Sequence, residues 1–236
     1  MAKEIEIPCS EYTLKADWYE GQSQQDILFV MTGYSSNKSR YVDLTETLVE
    51  QTGYSALVLD YSGHGESPGH LLDLMPAQNV LDVITTFDWI GKQYPESRIS
   101  VVSCSYGGYL SAYLAQYRDF HKLVMRAPAI YAEQNLYRPW RDYDRKSPLG
   151  HLYREDIRNF KDHSLFTTTK LFTGPTLLVQ HELDTVCPKV STDEFAQAFN
   201  AETWVAAGFE HSFKESDSAV ADNDAYKQKI VDWLLE

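Results

Sequence analysis

Basic residues are in short supply: 21 Lys and Arg stand against 34 Asp and Glu in 236 residues, a formal net charge of −13. Binding to a phosphate backbone rests on clustered Lys and Arg, so nucleic acid is a poor partner for this chain. Cysteine is scarce as well. Cys9, Cys104 and Cys187 give neither an even disulfide framework nor metal-ligand spacing, which suits a reducing compartment. No apolar run approaches the length that crosses a bilayer, and the opening Met1-Ala2-Lys3-Glu4-Ile5-Glu6 is too polar for a signal peptide. The expectation is a cytoplasmic protein that makes no membrane contact. What is present is ordinary: 43% hydrophobic and 23% charged residues suit a soluble protein, and a length of 236 residues predicts one core and one domain over residues 1–236.

The apolar pattern alternates between two periods. Tyr12 to Tyr19 reads as an early antiparallel strand, Asp26 to Met31 as a strand covered on both faces, and Ser55 to Asp60 as a third. Helical stripes fall between and after them. Val42, Thr45, Leu48 and Val49 share a face before Gly53, and Val80, Val83, Ile84, Phe87 and Ile90 share another behind Pro76. Arg98 to Val102, Lys122 to Ala127, Thr176 to Gln180 and a short stretch at Thr203-Trp204-Val205 continue the strands, and Ala225 to Leu235 closes the chain as a helix. Such alternation predicts an α/β protein, a mostly parallel doubly wound sheet whose ligands bind at the carboxyl ends of its strands.

One segment breaks the rhythm. From Tyr131 to Lys170 there is no strand pattern, and tyrosines interleave with Arg138, Arg141, Arg145, Arg154 and Arg158. Residues 131–170 read as a small lid inserted in the domain, against the plainer possibility of a helical surface decoration.

Ser103-Cys104-Ser105-Tyr106-Gly107-Gly108 joins the strand at Arg98 to Val102 to a helix beginning near Tyr109. A serine flanked two positions away by small residues, on a sharp strand-to-helix turn, fits a nucleophile elbow; the plainer reading is a serine that ends a buried strand. Cys104 reads as a small buried hydrophobe. A serine hydroxyl needs a general base and an acid that fixes that base. Asp184 follows the strand at Thr176 to Gln180, and His211 follows the one at Trp204-Val205, so three strand-end loops run in the order Ser, Asp, His. The plainer reading of Asp184 is a cap on the helix after Pro188, which need not exclude catalysis, and Glu133 is a weaker candidate acid because it lies in the insert. His64 and His181 read as structural.

On these motifs the chain resembles the α/β-hydrolase superfamily over nearly its whole length. The resemblance includes Thr32-Gly33-Tyr34, similar to the family's oxyanion loop, and Asp60-Tyr61-Ser62-Gly63-His64-Gly65-Glu66-Ser67, similar to its Asp-x-x-Gly-x-Gly-x-Ser turn. With the insert of about forty residues it looks most like the small cinnamoyl and feruloyl esterases and the monoacylglycerol lipases. Three departures stand out: Ser103 for the first glycine of the elbow, Thr32 for a histidine, and Glu182 for a glycine. The resemblance implies a serine carboxylesterase with Ser105 as nucleophile, His211 as base and Asp184 as acid. It also implies an oxyanion hole from the backbone N–H groups of Tyr34 and Tyr106, with close approach at Gly33. Tyr137 and Trp140 of the insertion are expected to touch a small or aromatic acyl ester. No cofactor and no metal is called for, and the chain is expected to be a monomer or homodimer. Thioesterase, acyltransferase, lipase and peptidase activities, or a non-catalytic ligand-binding role, remain the alternatives.

Overall fold

The computed structural model describes residues 2–143, 148–168, 172–212 and 222–236. Arg145 and Lys170 of the insertion, and Phe213 after the His211 loop, lie outside them. The strands are β1 (Lys3–Pro8), β2 (Thr13–Tyr19), β3 (Ser23–Met31), β4 (Tyr54–Asp60), β5 (Arg98–Cys104), β6 (Leu123–Arg126), β7 (Thr176–His181) and β8 (Glu202–Ala206). They form one sheet in the order β1-β2-β4-β3-β5-β6-β7-β8. β1 and β2 run antiparallel to their neighbours, and every other pairing is parallel. The first strand is not foreseen by the sequence reading. Its charged residues Lys3, Glu4 and Glu6 lie on an outer edge, where charge guards against strand addition and dilutes the apolar signal.

Burial on both faces explains the continuous apolar strands. In β3, Ile27, Phe29 and Met31 pack into one core cluster, while Leu28 and Val30 pack into the other. Successive side chains point to opposite faces, so a strand covered twice must be apolar at every position. Helices α1 (Val42–Thr52) and α7 (Asn223–Leu235) supply the layer with Leu44, Leu48, Tyr226, Ile230 and Leu234. Helices α2 (Pro76–Gln93), α3 (Tyr106–Tyr117) and α6 (Lys189–Ala198) cover the opposite face with Val83, Leu110 and Phe195. Among the described residues, no helix is long and apolar enough to cross a membrane.

Residues between β6 and β7 contain no strand among those described. They form short turns at Glu133–Tyr137, Trp140–Asp142 and Ile157–Asn159, with helices α4 (Pro148–Glu155) and α5 (Ser164–Thr168). Phe160 and Leu165 are fully buried in the main core, so the insertion is packed down. Arg154 anchors it. This buried guanidinium donates from Nε to Ile130 O at 2.9 Å and from Nη1 to Val186 O at 3.0 Å, tying α4 to the segments that follow β6 and β7.

Candidate active site

β5 ends in a turn that the local sequence makes possible at a cost. Ser105 has φ 52° and ψ −112°, a conformation that side chains other than glycine rarely adopt. Its carbonyl accepts from Gly108 N–H at 2.9 Å and Ala129 N–H at 3.0 Å, and its own N–H donates to Arg126 O at 2.9 Å. A Cβ at Gly107 would lie 2.4 Å from Met31 O, and one at Gly108 would lie 2.5 Å from Pro128 Cβ. The helix can therefore pass the sheet this closely only with two glycines. Ser103, in place of the usual glycine, is satisfied: its hydroxyl donates to Val124 O at 3.1 Å and accepts from Ser111 Oγ at 3.2 Å.

Three strand-end loops meet above that turn. Nε2 of His211 lies 3.0 Å from Ser105 Oγ, and its Nδ1 lies 2.7 Å from Asp184 Oδ2. A carboxylate can only accept, so Nδ1 carries a proton, and in the neutral ring Nε2 is left to accept from the serine hydroxyl. Asp184 does two jobs at once. Its Oδ1 accepts from the N–H groups of Val186 and Cys187, both at 2.8 Å, and shapes the turn into α6 while Oδ2 holds the imidazole. The expected cap on the helix after Pro188 is not formed: the N-cap is Pro188 itself, without a side-chain bond, and Asp184 instead shapes the turn just before it.

Burial disfavours the charged imidazolium of His211, but the neighbouring Cys187 sulfur and the Asp184 carboxylate outweigh it and lift the pKa above the ordinary histidine range. Donor atoms of Asp184, Cys187 and His211 lie within 4.8 Å of one another, a metal-capable set that sequence spacing did not reveal. Two of the three face each other across the 2.7 Å contact, which is the spacing of a hydrogen bond.

The loop after β3 passes beside Ser105: a Cβ on Gly33 would lie 3.8 Å from Ser105 Cβ. This loop has no histidine at Thr32, and two tyrosines hold it. Tyr61 donates to Thr32 O at 3.0 Å, and Gly33 N–H donates to Tyr41 Oη at 2.9 Å. Tyr106, the first residue of α3, is fully buried and donates from its hydroxyl to Asn79 Oδ1 at 3.0 Å. The Asp-x-x-Gly-x-Gly-x-Ser turn is equally specific. Asp60 accepts from Lys38 N–H at 2.7 Å and Glu66 N–H at 2.9 Å, and a Cβ at Gly65 would fall 2.0 Å from Asp60 Oδ2.

A cavity of about 540 Å³ opens over Ser105 and His211, walled by Gly33, Tyr34, Tyr41, Cys104, Arg126 and Val186. Cys104 is thus half-buried in the cavity wall instead of sealed in the core. Two expected substrate contacts are absent from that wall. Tyr137 is 73% exposed, because its single helical turn leaves the side chain on the outer surface. Trp140 is buried behind the wall, its ring 4.5 Å from that of Tyr34. Tyr41 and Arg126 line the cavity and were not singled out; both sit in stretches whose periodicity reads as core.

An open, mostly parallel sheet with a serine elbow after its central strand defines a serine hydrolase of the α/β-hydrolase fold. More narrowly, the chain belongs to the family described as serine aminopeptidase, S33, which matches residues 22–146, just over half of it. Mouse monoglyceride lipase is 30% identical over 127 residues, 52% of this chain and 41% of that protein. An uncharacterized 31.7 kDa protein of Escherichia coli is 26% identical over 91 residues and is covered to 32%. The chain therefore aligns with less than half the length of these curated relatives. The fold is shared with Est1E of Butyrivibrio proteoclasticus bound to ferulic acid, at 18% identity, 98% coverage of both chains and a TM-score of 0.76. It is shared also with the Pyrococcus furiosus esterase Pf2001, at 21% identity, 99% and 89% coverage and a TM-score of 0.71.

Proposed function

We propose that the chain is a carboxylesterase acting on small or aromatic acyl esters, with Ser105, His211 and Asp184 as its catalytic triad. The observation that carries this reading is the unbroken line of contacts, 3.0 Å from Ser105 to His211 and 2.7 Å from His211 to Asp184, at the base of an open cavity. Ser105 Oγ attacks the ester carbonyl while His211 Nε2 takes its proton, and Asp184 holds the tautomer and stabilises the imidazolium. The backbone N–H groups of Tyr34 and Tyr106 receive the oxyanion, each donor contributing about 3–4 kcal/mol in other serine hydrolases. The alcohol leaves with the proton from His211, and water then releases the acyl group by the same steps in reverse order.

The aromatic acyl preference draws on the cavity's tyrosine walls and on the ferulic acid held by the Butyrivibrio neighbour. This reading keeps residues 131–170 as a lid insertion, whose described residues back the cavity wall through Trp140 against Tyr34 and Arg154 on Val186 O. The same reading takes the enzyme to be cytoplasmic, free of cofactor, and a monomer or homodimer. Labelling by a fluorophosphonate probe at Ser105, followed by a panel of feruloyl, short-chain, long-chain and thioester substrates, tests it. Ser105→Ala should abolish labelling, and Ser105→Ala or His211→Ala should lower kcat by about 10⁶-fold. Full esterase activity in Ser105→Ala overturns the assignment, and a preference for long acyl chains without cinnamate turnover overturns the aromatic substrate class.

A further inference from the structure

The loop that carries His211 is fastened to the loop that carries Asp184 by a graded series of contacts. Glu182 N–H donates to Ala206 O at 3.1 Å and Leu183 N–H to Phe209 O at 2.9 Å. Gly208 N–H donates to the Glu182 carboxylate at 2.8 Å, so the glutamate that departs from the family's glycine secures this junction. A further fastening is made by a side chain. His181, at the end of β7, reaches Glu210 O from Nδ1 at 2.7 Å, one residue before His211.

Behind His181 the contacts continue inward. Its Nε2 lies 2.8 Å from the Tyr226 hydroxyl, and Arg126 Nε lies 2.9 Å from the same hydroxyl. All three side chains are buried. The two ends of this chain fix every proton in it. A guanidinium can only donate, and a carbonyl can only accept. Arg126 therefore donates to Tyr226, Tyr226 donates to His181 Nε2, and His181 Nδ1–H donates to Glu210 O. One sense of polarity runs from a buried cation to the peptide that precedes the candidate base, and such chains strengthen each member.

We infer that His181, with Tyr226 and Arg126 behind it, is a positioning residue that sets the His211 imidazole between Asp184 and Ser105. Glu210 O is the final backbone acceptor before His211, so displacement at that peptide passes directly to the ring. An error of about 1 Å in such a group costs up to about 10²-fold in rate. His181 suits the task because it stays neutral: burial, reinforced by the Arg126 charge, pushes its pKa down to about 4. Its own tautomer therefore does not change as His211 gains and loses a proton.

The inference rests on His211 as the base, and its test separates the two claims. His181→Phe keeps a planar ring without polar atoms, His181→Gln keeps a donor, and Tyr226→Phe removes only the hydroxyl. Each variant is compared with the parent in thermal stability, in kcat and KM on an ester, and in the rate of fluorophosphonate labelling. The downfield proton resonance of the His211–Asp184 hydrogen bond is the fourth measurement. His181→Phe should lose roughly tenfold to a hundredfold in kcat and labelling rate per folded molecule at little-changed KM, with the resonance shifted or broadened. Tyr226→Phe should lose less, and His181→Gln should recover part of the loss. Should His181→Phe fail to fold, Tyr226→Phe decides. Variants that melt earlier but label, turn over and resonate like the parent overturn the inference. A parent that neither labels nor hydrolyses any ester overturns the proposed function, and the resonance comparison still decides the positioning claim.

Discussion

Asp184 divides its carboxylate between a backbone turn and an imidazole, and the two halves can be separated by substitution. Asp184→Asn keeps an oxygen for the Val186 and Cys187 N–H groups but presents an amide to His211, favouring the wrong tautomer. A loss of about 10⁴-fold in kcat with little change in Tm is expected. Asp184→Ala removes both halves and should lower Tm as well, which differential scanning fluorimetry would show. The pH profile follows from the same contact. Protonated His211 cannot accept the Ser105 proton, so kcat/KM rises with pH as the ring deprotonates. Its midpoint should lie above the ordinary value of 6.5, and Asp184→Asn should move it down. A midpoint at or below 6.5 in the parent contradicts the charge arrangement.

Among the elements, the insertion is tied to two neighbouring loops by one side chain. Arg154 bonds two carbonyls from different loops and lies 4.7 Å over the Tyr131 ring. Each hydrogen bond from a charged donor contributes about 1.5–3 kcal/mol. Arg154→Met should therefore lower Tm, open residues 131–168 to limited proteolysis, and reduce kcat/KM through Val186 in the cavity wall. Cleavage no faster than in the parent would show that the buried Phe160 and Leu165 suffice. The arginine was visible in the sequence only as one of several in an aromatic, basic stretch. Nothing in its spacing distinguishes it from Arg158, which is exposed and pairs with Asp156. The strands that flank the site were legible for the opposite reason: burial on both faces writes itself into every position of β3 from Ile27 to Met31, whereas the charged edge strand β1 carries half that signal.

At the scale of the whole molecule, the order of the strands after β1 and the three loops that bring Ser105, Asp184 and His211 together follow from the sequence, because an open parallel sheet sends all such loops to one edge. The cavity wall does not follow. Tyr137 and Trp140 share a composition that suits a substrate contact, yet one faces outward and the other packs behind Tyr34. Which side of a short turn faces the site is settled by tertiary packing. The elbow has the reverse property, since its glycines are dictated by backbone approach and are therefore written into the chain.

The same elbow sets the chain's stability against its chemistry. Ser105 is held at φ 52°, a strain of about 1–3 kcal/mol that glycine would not incur. Part of that gain is offset by glycine's larger entropy loss on folding, about 0.5–1 kcal/mol. Ser105→Gly should still melt at or above the parent temperature while losing all turnover, and a clearly lower melting temperature would show the elbow to be relaxed. A selection for thermostability alone would thus accept loss of the hydroxyl at this position. Any campaign to harden the protein has to screen for turnover at every round, because its folding and its reactivity pull the same residue in opposite directions.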